Sequence, residues 1–215
     1  MPIRKIPKNY RNITGIAPCN KAVGIAAYES SLERDFLTLL EFDSNVQHFE
    51  VQPIAIEWFD PVGKKHIYTP DVLVHYQNDV IIYEVKYRSD LRKNWRELKP
   101  KFQAALHFCK SHGWHFKLIT ELEIHTDYLC NVRFLLPYQQ NGLSGEYSEA
   151  YMTLLDESLR ELKKSTPKQL IQQTFQDEYN QAKLLPVLWY LIAERKIGAD
   201  LNQPLTMQSA IWFKK

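Results

Sequence analysis

The segment from Thr69 to Tyr87 constrains the fold most. Two runs of β-branched and aromatic residues, 66–76 and 80–87, flank Asn78-Asp79, a pair suited to a tight hairpin turn. An isolated hairpin is barely stable in water, so one this apolar belongs to a larger sheet. Yet it carries Asp71, Glu84 and Lys86. A charge inside a hydrophobic strand costs stability unless it is paired or bound to a metal.

A two-residue turn sets Leu73 opposite Glu84 and Asp71 opposite Lys86. Alternation then gives one face to Asp71, Leu73, Glu84 and Lys86. The other, apolar enough to be core, takes Val72, Val74, Tyr76, Ile81, Tyr83 and Val85. Asp71 and Glu84 become diagonal neighbours, with Cβ atoms roughly 7–8 Å apart. Two carboxylates at that spacing can share one hard cation such as Mg²⁺. The bland alternative is an exposed face with an incidental Asp71–Lys86 ion pair. Pro70 favours the first reading, because proline marks a strand edge or bulge that can open a site.

A second acid stands out upstream. Residues 30–42 read as a helix capped by Ser30 or Ser31, with Leu32, Phe36, Leu37, Leu39 and Leu40 in one arc. Glu33 falls inside that arc, while Asp35 and Glu41 fall outside it. An acid on the core side of a helix serves either a buried salt bridge or a site.

The remaining pattern is α/β. Residues 1–27 read as an irregular basic arm, and 46–59 as a strand interrupted at Pro53. A helix is expected over 91–111, broken or restarted at Pro100 and ended by Gly113. Strands are expected over 114–120 and 131–136. The polar run 137–148 reads as a linker between a strand-rich first domain (28–136) and a small C-terminal domain (149–215). In the latter, helices over 149–163, 167–175 and 178–196 precede strands 197–201 and 206–213. That order is the pattern of a winged helix, the alternative being a helical extension of the first domain.

The near balance of 27 Lys+Arg against 25 Asp+Glu conceals segregation. Arg4, Lys5, Lys8, Arg11 and Lys21 face no acid within 1–28. Arg88, Arg92, Lys93, Arg96, Lys99 and Lys101 follow Lys86 closely, beside Tyr87, Trp95 and Phe102. Such a patch carries a polyanion or is simply a solvated helix face. The three cysteines are too few and too scattered for a disulfide framework or a cysteine zinc site, and point to a reducing compartment. No histidine pair has zinc-protease spacing, and neither a glycine-rich phosphate loop nor a nucleophile elbow is present. Nothing approaches the ~18 apolar residues of a membrane span, and no apolar run follows Lys8 as a secretory signal requires.

A helix acid, then Pro70-Asp71, then Glu84-Val85-Lys86 resembles the PD-(D/E)xK nuclease signature. More specifically, several blocks in order resemble the TnsA endonuclease subunit of heteromeric cut-and-paste transposons. They are Ser31–Phe36 with Leu40–Asp43, Phe49-Glu50-Val51-Gln52-Pro53, Tyr68-Thr69-Pro70-Asp71, Glu84-Val85-Lys86, and Gly113–Phe116 with Thr120-Glu121. The resemblance implies a restriction-endonuclease-like core, a mixed sheet flanked by helices, followed by a winged-helix-like domain. It implies Glu33, Asp71 and Glu84 as ligands of Mg²⁺, with Mn²⁺ as a substitute, and Val85 lending its carbonyl. Lys86 would position or activate water and offset phosphate charge, with Gln52 close behind. Some relatives carry Gln where this chain has Glu84; Glu is the stronger ligand. The implied reaction is cleavage of the 5′ strands at transposon ends, in the bacterial cytoplasm at the nucleoid. The implied partners are an integrase-like TnsB and the AAA+ regulator TnsC. A free-standing restriction or junction-resolving nuclease of the same fold stays open, as does a catalytically silent DNA-binding subunit.

Overall fold

The computed structural model describes residues 13–60, 62–145 and 148–214. The arm residues Arg4, Lys5, Lys8 and Arg11 lie outside that set. The chain divides into two compact units, Met1–His125 and Thr126–Lys215.

In the first unit, β1 (Gly15–Ile16) pairs with β2 (Ala27–Tyr28) ahead of α1 (Ser31–Phe42). Ser30 caps α1 by accepting the Glu33 N–H, and Leu32, Phe36, Leu37 and Leu40 are buried along it. β3 (Val46–Val51) follows, then β4 (Ile56–Phe59), β5 (Lys65–Tyr68), β6 (Val72–Tyr76) and β7 (Val80–Val85). The long α2 (Arg88–His112) leads to β8 (His115–Ile119) and the short α3 (Glu121–Ile124). The main sheet has the order β3-β6-β7-β8. Its first two pairings are antiparallel and β7–β8 is parallel, because a helix carries the chain back between them.

Both faces of this sheet are covered. Phe36 of α1 packs on Tyr83 with ring centroids 4.9 Å apart. On the opposite face, Leu73 and Ile82 join Ile56, Tyr68, Ala105 and Cys109 in one buried cluster. A strand buried on both sides is where an ionised Glu84 is most costly.

The expected strand 66–76 is two strands. Tyr68 pairs with Ile56 in a separate β4–β5 ribbon, and Val72 pairs with Val51 and Tyr83 in the main sheet. Pro70, which has no N–H to give a ladder, marks the switch. The hairpin register also differs from the expectation by two positions. Leu73 faces Ile82 and His75 faces Val80. Tyr76 N–H donates to the Asp79 carbonyl (2.8 Å), and Asp79 Oδ1 accepts the Val80 N–H (2.8 Å), so the tight turn falls at Gln77-Asn78, one residue earlier than expected. A shift of two keeps the facing pattern and brings Asp71 directly across from Glu84.

The arm reading needs correction where it is described. Phe49 of the edge strand exchanges hydrogen bonds with Lys21 and Val23, and Glu41 accepts the Asn20 and Lys21 N–H groups at 2.9 and 3.0 Å. Residues 20–23 are thus strapped onto the sheet edge. The irregular turn of α2 is at Asn94 (φ −109°, ψ 16°), with the helix running on through Pro100. Gly113 ends α2 in the left-handed region (φ 71°), where glycine carries no steric penalty.

The second unit contains α4 (Asp127–Asn141), α5 (Ser148–Leu162), β9 (Lys164–Ser165), α6 (Pro167–Thr174), α7 (Glu178–Ala193), β10 (Ile197–Ala199) and β11 (Ile211–Phe213). The expected strand 131–136 is therefore helix. Leu129, Val132 and Leu135 are buried at a spacing of three, which is helical and not alternating. The supposed linker begins as the last turn of this helix, and the unit boundary lies earlier, at 125/126. Thr166 caps α6 with Pro167 in its first turn, and α7 runs through Pro186. The three short strands form an antiparallel sheet in the order β10-β11-β9. Buried Asn131 donates to the Leu201 and Gln203 carbonyls and accepts the Leu205 N–H, which pins the β10–β11 connection.

Candidate active site

The start of β6 and the end of β7 bring Asp71, Glu84 and Lys86 together. Asp71 Oδ2 accepts the Val85 N–H at 2.8 Å and the Lys86 ammonium at 3.1 Å. Lys86 Nζ also lies 3.0 Å from Glu84 Oε1 and donates to the Val85 carbonyl at 3.1 Å. Three oxygens from Asp71, Glu84 and Val85 therefore converge on one point, which the ammonium holds with its three donors. The second oxygen of Glu84 accepts the Tyr68 hydroxyl at 2.5 Å.

Glu84 is only 3% exposed. Burial and then the Asp71 charge push its carboxyl up to about 7, against the pull of Lys86 and the Tyr68 hydroxyl. Burial alone would depress the Lys86 ammonium, yet Asp71 and Glu84 outweigh it and hold the group charged above its ordinary range.

Glu33 sits in the first turn of α1. Its carboxylate accepts the Ser30 hydroxyl (3.0 Å) and the Glu29 N–H (2.8 Å), so the N-cap itself aims the side chain. Burial first, and repulsion by Asp71 second, raise its carboxyl to about 7. It feels the charges of Asp71 and Lys86, but among the described residues no hydrogen bond joins it to Asp71, Glu84 or Lys86. The helix arc misjudged burial on α1. Glu33 is half-buried, whereas Asp35 and Glu41, expected outside, are 2% and 4% exposed. Asp35 is paired with Arg34 at 3.0 Å and His125 at 3.1 Å.

Gln52 is buried just past β3, with its backbone in the left-handed region (φ 48°). Its N–H donates to the Asp71 carbonyl (2.9 Å) and its amide to Glu29 (3.4 Å), while its Oε1 is buried with no partner. A strained backbone and an orphaned polar atom at one position mark a functional neighbourhood. Of the basic residues, Arg88, Arg92, Lys93, Arg96 and Lys99 are exposed and Lys101 is half-buried. Arg92, Arg96 and Lys99 share a stripe on α2, with Lys93 and Lys101 off it.

Tyr68 was not singled out from the sequence. The signal was available: a phenol next to Thr69-Pro70-Asp71, buried in the same cluster as Leu73 and Ile82. Burial and then the Glu84 charge raise its pKa, so it stays a donor and orients Glu84.

Among the described residues, no three His, Cys, Asp or Glu side chains already form a metal cage. The donor chemistry nevertheless fits a hard divalent cation: two carboxylates and one carbonyl, all oxygen, converge where one cationic group already sits.

A mixed sheet with Pro-Asp entering one strand and Glu-x-Lys leaving the next defines a restriction-endonuclease-like nuclease core. The family is narrower. Residues 43–121 match the model of the TnsA-like endonuclease N terminal domain, and residues 123–201 match that of the TnsA endonuclease C terminal domain. The chain belongs to the TnsA family and is an endonuclease subunit of a transposase. The first match includes Gln52, Asp71, Glu84 and Lys86, while Glu33 precedes it. The step between the matches falls close to the structural division at 125/126. No curated protein matches the chain. No helix among the described residues is long and apolar enough to cross a membrane.

Proposed function

We propose that the chain hydrolyses the phosphodiester of the 5′, non-transferred strands at transposon ends, using Mg²⁺, with Mn²⁺ as a substitute. The convergence of Asp71, Glu84 and Val85 oxygens on one point carries this reading. Asp71, Glu84 and the Val85 carbonyl would hold the ion, with Glu33 as a further carboxylate ligand. When bound, such an ion offsets the charge of the scissile phosphate and acidifies water beside it.

The protein's own groups do the rest. Lys86 stays protonated beside the carboxylates and offers a positive charge to the phosphate oxygens. Tyr68 holds one oxygen of Glu84, while the other faces the site beside Lys86. In the metal-free site the Glu33 carboxyl is raised to about 7, so binding an ion there would release its proton. Gln52 fixes the Asp71 backbone from the side of β3.

The exposed bases Arg88, Arg92, Lys93, Arg96 and Lys99, with Lys101, would meet phosphates of the DNA. In the second unit, the order helix, strand, helix, helix, strand, strand from α5 to β11 supports a winged-helix reading. A TnsB-type integrase and a TnsC-type ATPase are the partners this reading requires, in the bacterial cytoplasm at the nucleoid.

The test is Asp71→Ala on transposon-end DNA with the integrase-like partner present. Cutting of the 5′ strands should disappear while the fold and partner binding persist. Wild-type cutting by the variant would overturn the site, and efficient sequence-specific cutting by the lone wild-type chain would favour a free-standing nuclease instead.

A further inference from the structure

The first half of α2 contributes no buried side chain: its buried residues are Phe102, Ala105 and Cys109. Between the middle of α2 and the edge strand β8 lies a groove of about 370 Å³, lined by Trp95, Lys99, Phe102, Leu106, Phe116 and Leu118. The aromatic rings form a run, with Trp95 6.2 Å from Phe102 and Phe102 5.8 Å from Phe116 between centroids. Large apolar groups stand open here: Trp95 is 46% exposed, Leu106 52% and Leu118 37%.

Two observations say what covers it. Leu118 is the lateral partner of Glu84 in the parallel β7–β8 pair, so the groove wall lies one strand spacing, about 4.8 Å, from the candidate site on the same sheet face. Arg92, Arg96 and Lys99 run beside Trp95 on α2, all exposed. Cations beside aromatic rings suit a nucleic-acid strand, whose phosphates seek the former and whose bases stack on the latter. A base in an intact duplex has both faces occupied by its neighbours, so rings can bind only a base that has left the stack.

We infer that this groove takes an unstacked nucleobase of the DNA next to the cut, stacked against Trp95, with adjoining phosphates on Arg92, Arg96 and Lys99. The inference rests on the reading of the chain as a DNA endonuclease. It predicts a preference for locally opened DNA over fully paired DNA.

The experiment compares binding of the purified full chain to two labelled oligonucleotide duplexes of one sequence, one fully paired and one with a short unpaired bubble. Wild type should prefer the bubble. Trp95→Ala should weaken bubble binding by roughly 5- to 150-fold and duplex binding little, while Trp95→Phe keeps most of the preference. Lys99→Ala should weaken both modestly and by similar factors. Thermal melting checks that each variant is folded. If folded Trp95→Ala binds both duplexes as wild type does, the groove holds no base, although the DNA reading stands. If wild type binds neither duplex, the inference is wrong, while the DNA reading is decided separately by the Asp71→Ala cleavage test with the integrase-like partner present. If Trp95→Ala keeps its DNA binding but loses the integrase-like partner, the groove is a protein-docking surface and the inference is wrong.

Discussion

Two groups of acids, buried or half-buried, occupy the first unit, and their surroundings differ in kind. Glu41 and Asp35 on α1 are nearly inaccessible, and each faces donors: backbone N–H groups of Asn20 and Lys21 for the one, Arg34 and His125 for the other. Asp71, Glu84 and Glu33 face one another as well as donors, and Asp71 raises the carboxyls of both its neighbours. A buried acid with its own donors ties the chain together. Acids crowded with like charge are under-compensated, and Lys86 supplies only one positive charge for the three. On the proposed reading, the difference separates acids that hold the fold from acids that serve the site.

The largest effects should divide along that line. Asp71→Asn keeps shape and removes charge, so cleavage should fall by about a thousandfold or more, the scale of several kcal/mol of lost charge stabilisation. Its melting temperature should hold or rise, because a repulsive charge has gone. Glu41→Ala should do the reverse. It leaves two N–H groups short of partners at roughly 1–3 kcal/mol each, so melting should fall by several degrees. Its kcat should stay near wild type. Calorimetry beside a cleavage assay reads both, and a stable Glu41→Ala protein with lost activity breaks the division.

Divalent ions should sharpen it. Millimolar Mg²⁺ or Mn²⁺ should raise the melting temperature of wild type, by about 2.7 kcal/mol of stabilisation at a hundredfold excess over Kd. Asp71→Asn should show little of this shift, and excess chelator should abolish both shift and cutting. Undiminished cutting in chelator would sink the metal reading. Tyr68→Phe removes the hydroxyl that holds Glu84. Affinity for the ion should drop by about 10- to 100-fold, as for other groups that orient a ligand, with the fold retained. Ion titration by calorimetry checks this without any turnover.

Proton linkage gives a smaller effect with a definite sign. Folding raises the Glu33 and Glu84 carboxyls from 4.5 to about 7, so the folded protein binds more protons than the unfolded chain between those values. Their contribution to stability is therefore present at low pH and lost as pH rises through about 7. The metal-free protein should melt lower at pH 8 than at pH 6, and bound Mg²⁺ should cancel the difference. Glu84→Gln should flatten the metal-free slope. A slope of opposite sign, with stability rising from pH 6 to 8, breaks the assignment of crowding to this group.

Much of the site was legible in the sequence because it depends on local order. Pro70-Asp71 and Glu84-Val85-Lys86 lie on adjacent strands whose pairing follows from apolar alternation, whatever the turn. The hairpin register was not legible. Asn78-Asp79 fits a two-residue turn, yet Tyr76 closes on Asp79 and the turn falls at Gln77-Asn78, with the Asp79 side chain capping Val80. The burial of Asp35 and Glu41 was hidden for another reason. A helix arc shows which side faces the sheet, but β2, α3 and the strap at residues 20–23 also cover α1, and they come from elsewhere in the chain. Residues 131–136 misled through reliance on short-range residue type, although the spacing of Leu129, Val132 and Leu135 carried the helix.

The smallest effect tests whether strain at the site serves function. Gln52 combines a left-handed backbone at about 1–3 kcal/mol with a buried unpartnered oxygen at a similar cost. Gln52→Gly removes both. Against that, the unfolded chain gains freedom worth up to about 1 kcal/mol, and packing of the buried side chain worth about 2–5 kcal/mol is lost. These terms nearly cancel, so melting should stay within about 3 °C of wild type. Emptying an ordinary buried position costs far more, as expected at Glu41. If Gln52 serves the site, cleavage should fall in Gln52→Gly although the fold does not weaken, because the Asp71 backbone loses a rigid partner. Loss of stability without loss of rate would place Gln52 with Glu41 among the groups that hold the fold.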